Sequence, residues 1–162
     1  MNAKLRLIDL LKDFDTAMLV TRGDDGSLDA RPMAVAQVQD DGQIWFITDR
    51  NSGKIASLKL DSEVVVTMQS FSKFVSLSGT AFAVDDQAKL DELWSEAWKL
   101  WFPEGKTTNS IVLLRIEPTR GQYWDISGLR GAKYLLRAGK AYLQGVPPEI
   151  DASMNASVSL SE

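Results

Sequence analysis

Two extended runs turned back on each other at Asp40-Asp41-Gly42 constrain this chain more than any other feature. Glycine supplies the positive φ that a tight turn between strands requires. Before the turn, Met33, Val35 and Val38 mark an extended segment; after it, Ile44, Phe46 and Thr48 alternate with Trp45 and Ile47. Apolar residues at both alternating positions are the mark of a strand covered on both faces. Most other extended runs are also separated by short turns, and short turns join antiparallel neighbours.

The remaining elements follow from periodicity and from stop signals. Residues 3–14 place Leu5, Leu7, Ile8 and Leu11 on one face of a helix. Met18–Arg22 reads as a strand, ended by Gly23-Asp24-Asp25-Gly26. A short helix is expected over Ser52–Leu60, capped by Asn51 or Ser52. Val64–Met68 is rich in β-formers, and Lys73–Val84 alternates over a longer span in which Gly79 marks a bulge or a close backbone approach. Asp85-Asp86 caps a helix expected over 87–100, which Pro103 and Gly105 bring to an end. Ser110–Glu117 and Gly121–Asp125 read as two strands broken at Pro118, and Ala132–Leu143 as a last helix weakened by Gly139.

Helices fall between strand pairs rather than after every strand, which argues against a doubly wound parallel sheet. The expected fold is mainly β with α, a six- to seven-stranded antiparallel Greek-key barrel with flanking helices. Residues 1–145 are expected to form the domain. Residues 146–162, rich in Ser, Ala and Asn, are expected to be a partly mobile tail unless Ala156–Leu160 docks as an edge strand.

Composition excludes several chemistries. The chain has no cysteine and no histidine, which removes disulfides, thiolate nucleophiles, and the commonest general base and metal ligand. Asp24-Asp25, Asp40-Asp41 and Asp85-Asp86 all sit at turns or helix starts, where Asp is favoured structurally, so no metal site is expected. A net charge of −4 argues against nucleic acid as a partner. No apolar run is long enough to span a bilayer, and the amphipathic, charged N-terminus does not read as a signal peptide. No membrane partner and a cytoplasmic location are therefore the expectation.

What remains is a polar constellation at one end of the hairpin: Arg31, Thr48, Ser52 and Lys54. One reading makes the cations solvated surface charges and Ser52 a simple cap. The other follows from strand pairing, which brings Arg31 and Thr48 to the end of the sheet where a helix starts. An anion there would meet a guanidinium, an ammonium, hydroxyls and free backbone N–H groups. Tryptophans supply a second signal. Trp94, Trp98 and Trp101 recur at i, i+4 and i+7, as in a stripe packed on the barrel. Trp101 and Phe102, at a helix end, and Trp124, near a strand end, are open to either a core or a site role.

Met18–Thr21, Asp25-Gly26, Arg31-Pro32-Met33 and Trp45–Thr48 followed by Ser52-x-Lys54 resemble the FMN-binding split barrels related to pyridoxamine 5′-phosphate oxidase. Trp101-Phe102-Pro103-Glu104-Gly105 and Tyr123-Trp124-Asp125 bring the likeness nearest to the bacterial general stress proteins. The resemblance spans roughly residues 3–145. It implies a homodimer with FMN at its interface. Arg31 and Lys54 would hold the phosphate, with Thr48 and Ser52 supplying hydroxyls. The backbone of Pro32, Met33 and Ile47 would run along the isoalloxazine edge, and Trp101, Phe102 and Trp124 would wall the ring from either subunit. No catalytic residue is identified.

The sequence also departs from the oxidase pattern. Phe74 stands where the oxidase has Gln, Arg130-Gly131-Ala132 keeps the Arg of an Arg-Leu-His signature without its His, and Lys106–Asn109 replaces an Asp-Pro. The resemblance therefore implies a flavin-dependent oxidoreductase of an unidentified small substrate. The rivals are a pyridoxine or pyridoxamine phosphate oxidase, a deazaflavin-dependent reductase, and a non-catalytic flavin- or tetrapyrrole-binding module.

Overall fold

The computed structural model describes residues 2–147 and 154–161. In chain order the elements are α1 (Ala3–Leu11), β1 (Thr16–Arg22), β2 (Leu28–Val38), β3 (Ile44–Asp49), α2 (Gly53–Leu60), β4 (Glu63–Gln69), β5 (Lys73–Val84), α3 (Gln87–Leu93), β6 (Ile111–Asp125), α4 (Gly128–Leu143) and β7 (Asn155–Ser159). The strands lie side by side as β3-β2-β1-β4-β5-β6-β7, and β3 also pairs with β6. That second pairing closes β1–β6 into a six-stranded antiparallel barrel, which leaves no free edge among them. β7 is an additional strand along β6, with Gly121 opposite Val158 and Tyr123 opposite Ala156. It realises the edge-strand alternative for that part of the tail; residues 148–153 lie outside the described residues.

The turn at Gly42 forms as the sequence requires, with φ at 94° and the Gln39 amide donating to the Gln43 carbonyl at 2.9 Å. Inward positions of the strands fill the barrel with Leu19, Phe46, Val66, Leu77, Leu114 and Ile116, all at or near zero exposure. Burying each such side chain is worth about 1.5–3 kcal/mol. A second, smaller cluster outside the barrel joins Trp45, Ile47, Leu90, Leu93, Ile111 and Leu113. β3 thus has apolar neighbours on both faces, as its sequence implies.

Four expectations are corrected. The helix expected over 87–100 breaks after Leu93: Trp94 is extended (ψ 134°), and a 3-10 turn follows at Glu96–Leu100. The break lets Trp94 and Trp98 both pack on the outer cluster, where a straight helix would carry its end away from the curved sheet. Trp101, open from the sequence to either a core or a site role, is 67% exposed.

The break expected at Pro118 does not occur. β6 is continuous because the irregularity is absorbed as a bulge, with Ser78 opposite Arg120 and Gly79 opposite Pro118. Thr119 is the extra residue, and its Oγ1 donates to the Ser78 carbonyl at 3.2 Å. A bulge is where a strand tolerates proline's missing N–H. Gly79 is the close approach the sequence suggested, since a Cβ there would lie 2.3 Å from the Glu117 carbonyl oxygen.

In α1 the buried face carries Leu7, Ile8, Leu10 and Leu11, while Leu5 is 54% exposed. The stripe is centred between Leu7 and Leu11, which puts Leu5 on the opposite side. α4 begins at Gly128 rather than Ala132 and accommodates Gly139 without interruption. Among the described residues, no helix is long and apolar enough to cross a membrane.

Candidate functional site

β3 delivers Thr48 to the end of the barrel, and a tight turn stabilised by Asp49 leads into α2. The Asp49 carboxylate accepts from the Asn51 amide at 2.8 Å, and the Ser52 hydroxyl donates to the Asp49 carbonyl at 2.7 Å. Ser52 is the N-cap by position, but its side chain does not cap the helix. Its hydroxyl oxygen accepts instead from Lys54 Nζ at 3.1 Å, and Thr48 Oγ1 accepts from the same ammonium at 2.9 Å. Thr48 is buried, so Lys54 is tied to a fixed point of the barrel.

β2 delivers the second cation. Arg31 stands in register with Leu19, on the inward side of its strand. Its Nη1 donates to Thr21 Oγ1 at 2.7 Å, and Thr21 is only 1% exposed. Among the described residues neither Arg31 nor Lys54 forms a salt bridge, whereas nine other cations of the chain do. The Lys54 ammonium is held below the usual lysine range, first by burial and then by the positive charge of Arg31, with Asp49 opposing. Two cations sharing one field at the start of a helix repel each other, and an anion between them would relieve that cost.

Lys54, Thr48 and Asp49 open onto a cavity of about 730 Å³. Pro32, Met33 and Ala34 of β2, together with Ile47, form one side. Trp98, Trp101, Phe102, Pro103 and Glu104 form the other, and Thr16, Thr108 and Ser110 complete the lining. The aromatic segment is anchored rather than free. Arg50 donates to the carbonyls of Asn109 at 3.0 Å and Ile111 at 2.9 Å, and pairs with Asp85 at the head of α3. The Lys106 ammonium reaches Asp91 of α3 at 2.9 Å. An apolar slot of this size with the Lys54 ammonium at one end suits a flat aromatic ligand that carries an anion.

Of the sequence-predicted residues, Pro32, Met33, Ile47, Thr48, Lys54, Trp101 and Phe102 line this cavity. Arg31 and Ser52 do not line it but act on Lys54, by charge and by hydrogen bond respectively. Trp124 is elsewhere: it lies opposite Phe74 on β5 and Asn155 on β7, with its side chain on the outer face of the barrel. Sequence reasoning missed Thr21, although its alternation with Ala17 and Leu19 put it on the inward side of β1. It also missed Thr16, Thr108 and Ser110, for which no local signal exists.

A family model described as pyridoxamine 5′-phosphate oxidase like matches residues 2–149. No curated protein matches the chain. Among solved structures, a general stress FMN/FAD binding protein from the phytopathogen Xanthomonas citri is 32% identical, with a TM-score of 0.66 over 77% of this chain and 89% of that one. A protein of Jannaschia sp. CCS1 assigned to general stress protein 26 is 28% identical over 94% of this chain and 95% of its own, with a TM-score of 0.73. The general stress protein 26 of Bacillus anthracis str. Sterne, 22% identical over 76% of this chain and 94% of that one, shares the fold with a TM-score of 0.69. With its barrel closed by β3 and β6 and its matched length running nearly end to end, the chain belongs to the pyridoxamine 5′-phosphate oxidase-like family.

Proposed function

We propose that this protein is a cytoplasmic FMN-binding flavoprotein of the general-stress type, acting as a homodimer, and that it is a flavin-dependent oxidoreductase of a small substrate. The observation that carries the reading is the pair Arg31 and Lys54, both unbridged among the described residues: Lys54 is partly desolvated at the head of α2 and lines an apolar cavity, and the charge of Arg31 acts on it from β2. A phosphate monoester is the anion such a pair fits, because guanidinium, ammonium and hydroxyls can all donate to its oxygens. Bound FMN would supply the electron-transfer chemistry. The chain's own part is to seat the phosphate with Arg31, Lys54, Thr48 and Ser52. Backbone groups of Pro32, Met33 and Ile47 would position the ring edge, and Trp101 and Phe102 would exclude water.

The homodimer reading is supported by the barrel's outer face. Pro32, which lines the cavity, is in register with Met18, and Met18 with Thr67; the row continues through Ser76 to Gln122. Val20, Val65, Phe74 and Trp124 flank that row, and none of these side chains is charged. The Val20–Val65 row ends through Ser78 at Arg120, so the face is largely uncharged, with its cation at one side. Such a sheet face running up to the rim of a cavity suits a second copy that completes the cavity wall. Trp124 would then reach the flavin from the other subunit.

The test is titration with FMN and with riboflavin, which lacks the phosphate, of the parent and of the Arg31→Ala/Lys54→Ala double variant. Losing two charge-assisted contacts at about 1.5–3 kcal/mol each should weaken FMN well over tenfold while leaving riboflavin unchanged. Equal FMN affinity in parent and variant would overturn the assignment. Reduction of the bound flavin by NADH or NADPH separates an oxidoreductase from a binding module.

A further inference from the structure

α4 is a helix with three distinct faces. One, carrying Gly131, Tyr134, Ala138 and Ala141, is wholly or partly covered by its own chain. A second carries Lys133, Arg137 and Lys140. The third is apolar and faces outward: Leu135, Leu136, Tyr142 and Leu143 are 69, 76, 84 and 85% exposed. Along the midline of that third face lie Ala132 and Gly139, one heptad apart. Nothing comes within 4 Å of the point where a Gly139 Cβ would sit. A glycine inside an exposed helix weakens it, so its place between two pairs of large apolar residues calls for a reason outside the lone chain.

We infer that α4 is an intersubunit arm whose Leu135–Leu136 and Tyr142–Leu143 stripe docks on a second copy of this chain, with Ala132 and Gly139 admitting close backbone approach. This rests on the homodimer reading above. Two observations favour a second copy over other occupants. The first is continuity. Phe74 and Trp124 are paired neighbours on the outer face, and Ile126, between Trp124 and the start of α4, donates its amide to the Ser72 carbonyl at 2.9 Å. The arm therefore springs from the rim of the proposed interface and extends its apolar surface. The second is charge. Residues 126–147 contain Arg130, Lys133, Arg137 and Lys140 and no acidic residue, which leaves the rest of the chain at −8. The body of a second copy is thus electrostatically complementary to the arm. Helix stripes of large residues around a small one seat on a partner by letting the helix axis come close.

Sedimentation velocity of the full chain over a concentration series tests the arm, with the parent, Gly139→Leu and Leu136→Glu/Leu143→Glu compared. Leucine at 139 has open space and favours the helix in a lone chain, so it harms only a close contact. The expected result is a dimeric parent and, in both variants, a dimer weakened by about tenfold or more with helical content kept. A dimer of unchanged strength in both variants overturns the arm and leaves the homodimer reading standing. A parent that sediments as a monomer throughout overturns both. Co-sedimentation with phosphatidylglycerol vesicles that is lost in the variants while the dimer is unaffected assigns the stripe to a lipid surface and overturns the inference.

Discussion

Lys54 and Thr48 are joined by a hydrogen bond of 2.9 Å from Nζ to Oγ1. The ammonium is partly desolvated and shares its field with Arg31; its hydrogen-bond partners are hydroxyls, and the Asp49 carboxylate acts on it by charge without forming a salt bridge. A hydroxyl satisfies one N–H without neutralising the charge, so the positive field stays available to a ligand. Cations drawn out of water are ordinarily paired; this half-buried one is held by hydroxyls instead.

The pH dependence follows from that depression. Between the lowered folded pKa of Lys54 and its ordinary value of 10.5, the unfolded chain binds more protons than the folded one. The ligand-free protein therefore gains stability from this group as pH rises through that window. Anion binding has the opposite sign, because it favours the ammonium. FMN affinity should fall as pH rises through the same window, and Lys54→Met should flatten the dependence. Titration with FMN, with riboflavin as reference for ionisation of the ring, measures it. A parent whose FMN affinity tracks that of riboflavin across this range would contradict the seat assigned to Lys54.

Gly79→Ala should destabilise the barrel by about 1–3 kcal/mol, the usual cost of overpacking. The added methyl would meet backbone at the Glu117 carbonyl and Pro118 Cα, neither of which can rotate away. Urea denaturation provides the measurement; an unchanged midpoint would mean that the bulge at Pro118 relaxes freely.

Leu10→Ala and Leu5→Ala form a matched pair within α1. Leu10 is fully buried, so its truncation should cost about 2–5 kcal/mol. Leu5 is more than half exposed and should cost under about 0.5 kcal/mol. Equal losses would restore the helical face that periodicity alone suggests.

Much of the barrel is legible in the chain because its signals are local. The Asp41-Gly42 turn, the alternation through Lys73–Val84 and the Asp86 cap, whose carboxylate accepts from the Lys89 amide at 2.9 Å, are each decided within a few residues. The same holds for Thr48, Ser52 and Lys54, which one strand end and one helix start bring together.

The rest depends on partners distant in sequence. Whether 87–100 is one helix turns on how two indoles meet a curved sheet, and whether Pro118 breaks a strand turns on the absent Cβ of Gly79 across the ladder. Propensity describes each residue against its neighbours in the chain, and neither of those contacts is between neighbours. The place of Trp124 is of the same kind: its residue type marks it for a site, while the pairing of β5, β6 and β7 sets it on the outer face, away from the cavity of its own chain. The amino-acid sequence by itself determined most of the strands, the turns and the cluster of Thr48, Ser52 and Lys54, because each rests on backbone preferences and side chains close in the chain. Only the tertiary structure decided which strands close the barrel, which aromatics wall the cavity and which apolar surface is left outward, because those are settled by packing between segments that chain entropy keeps apart until the whole folds.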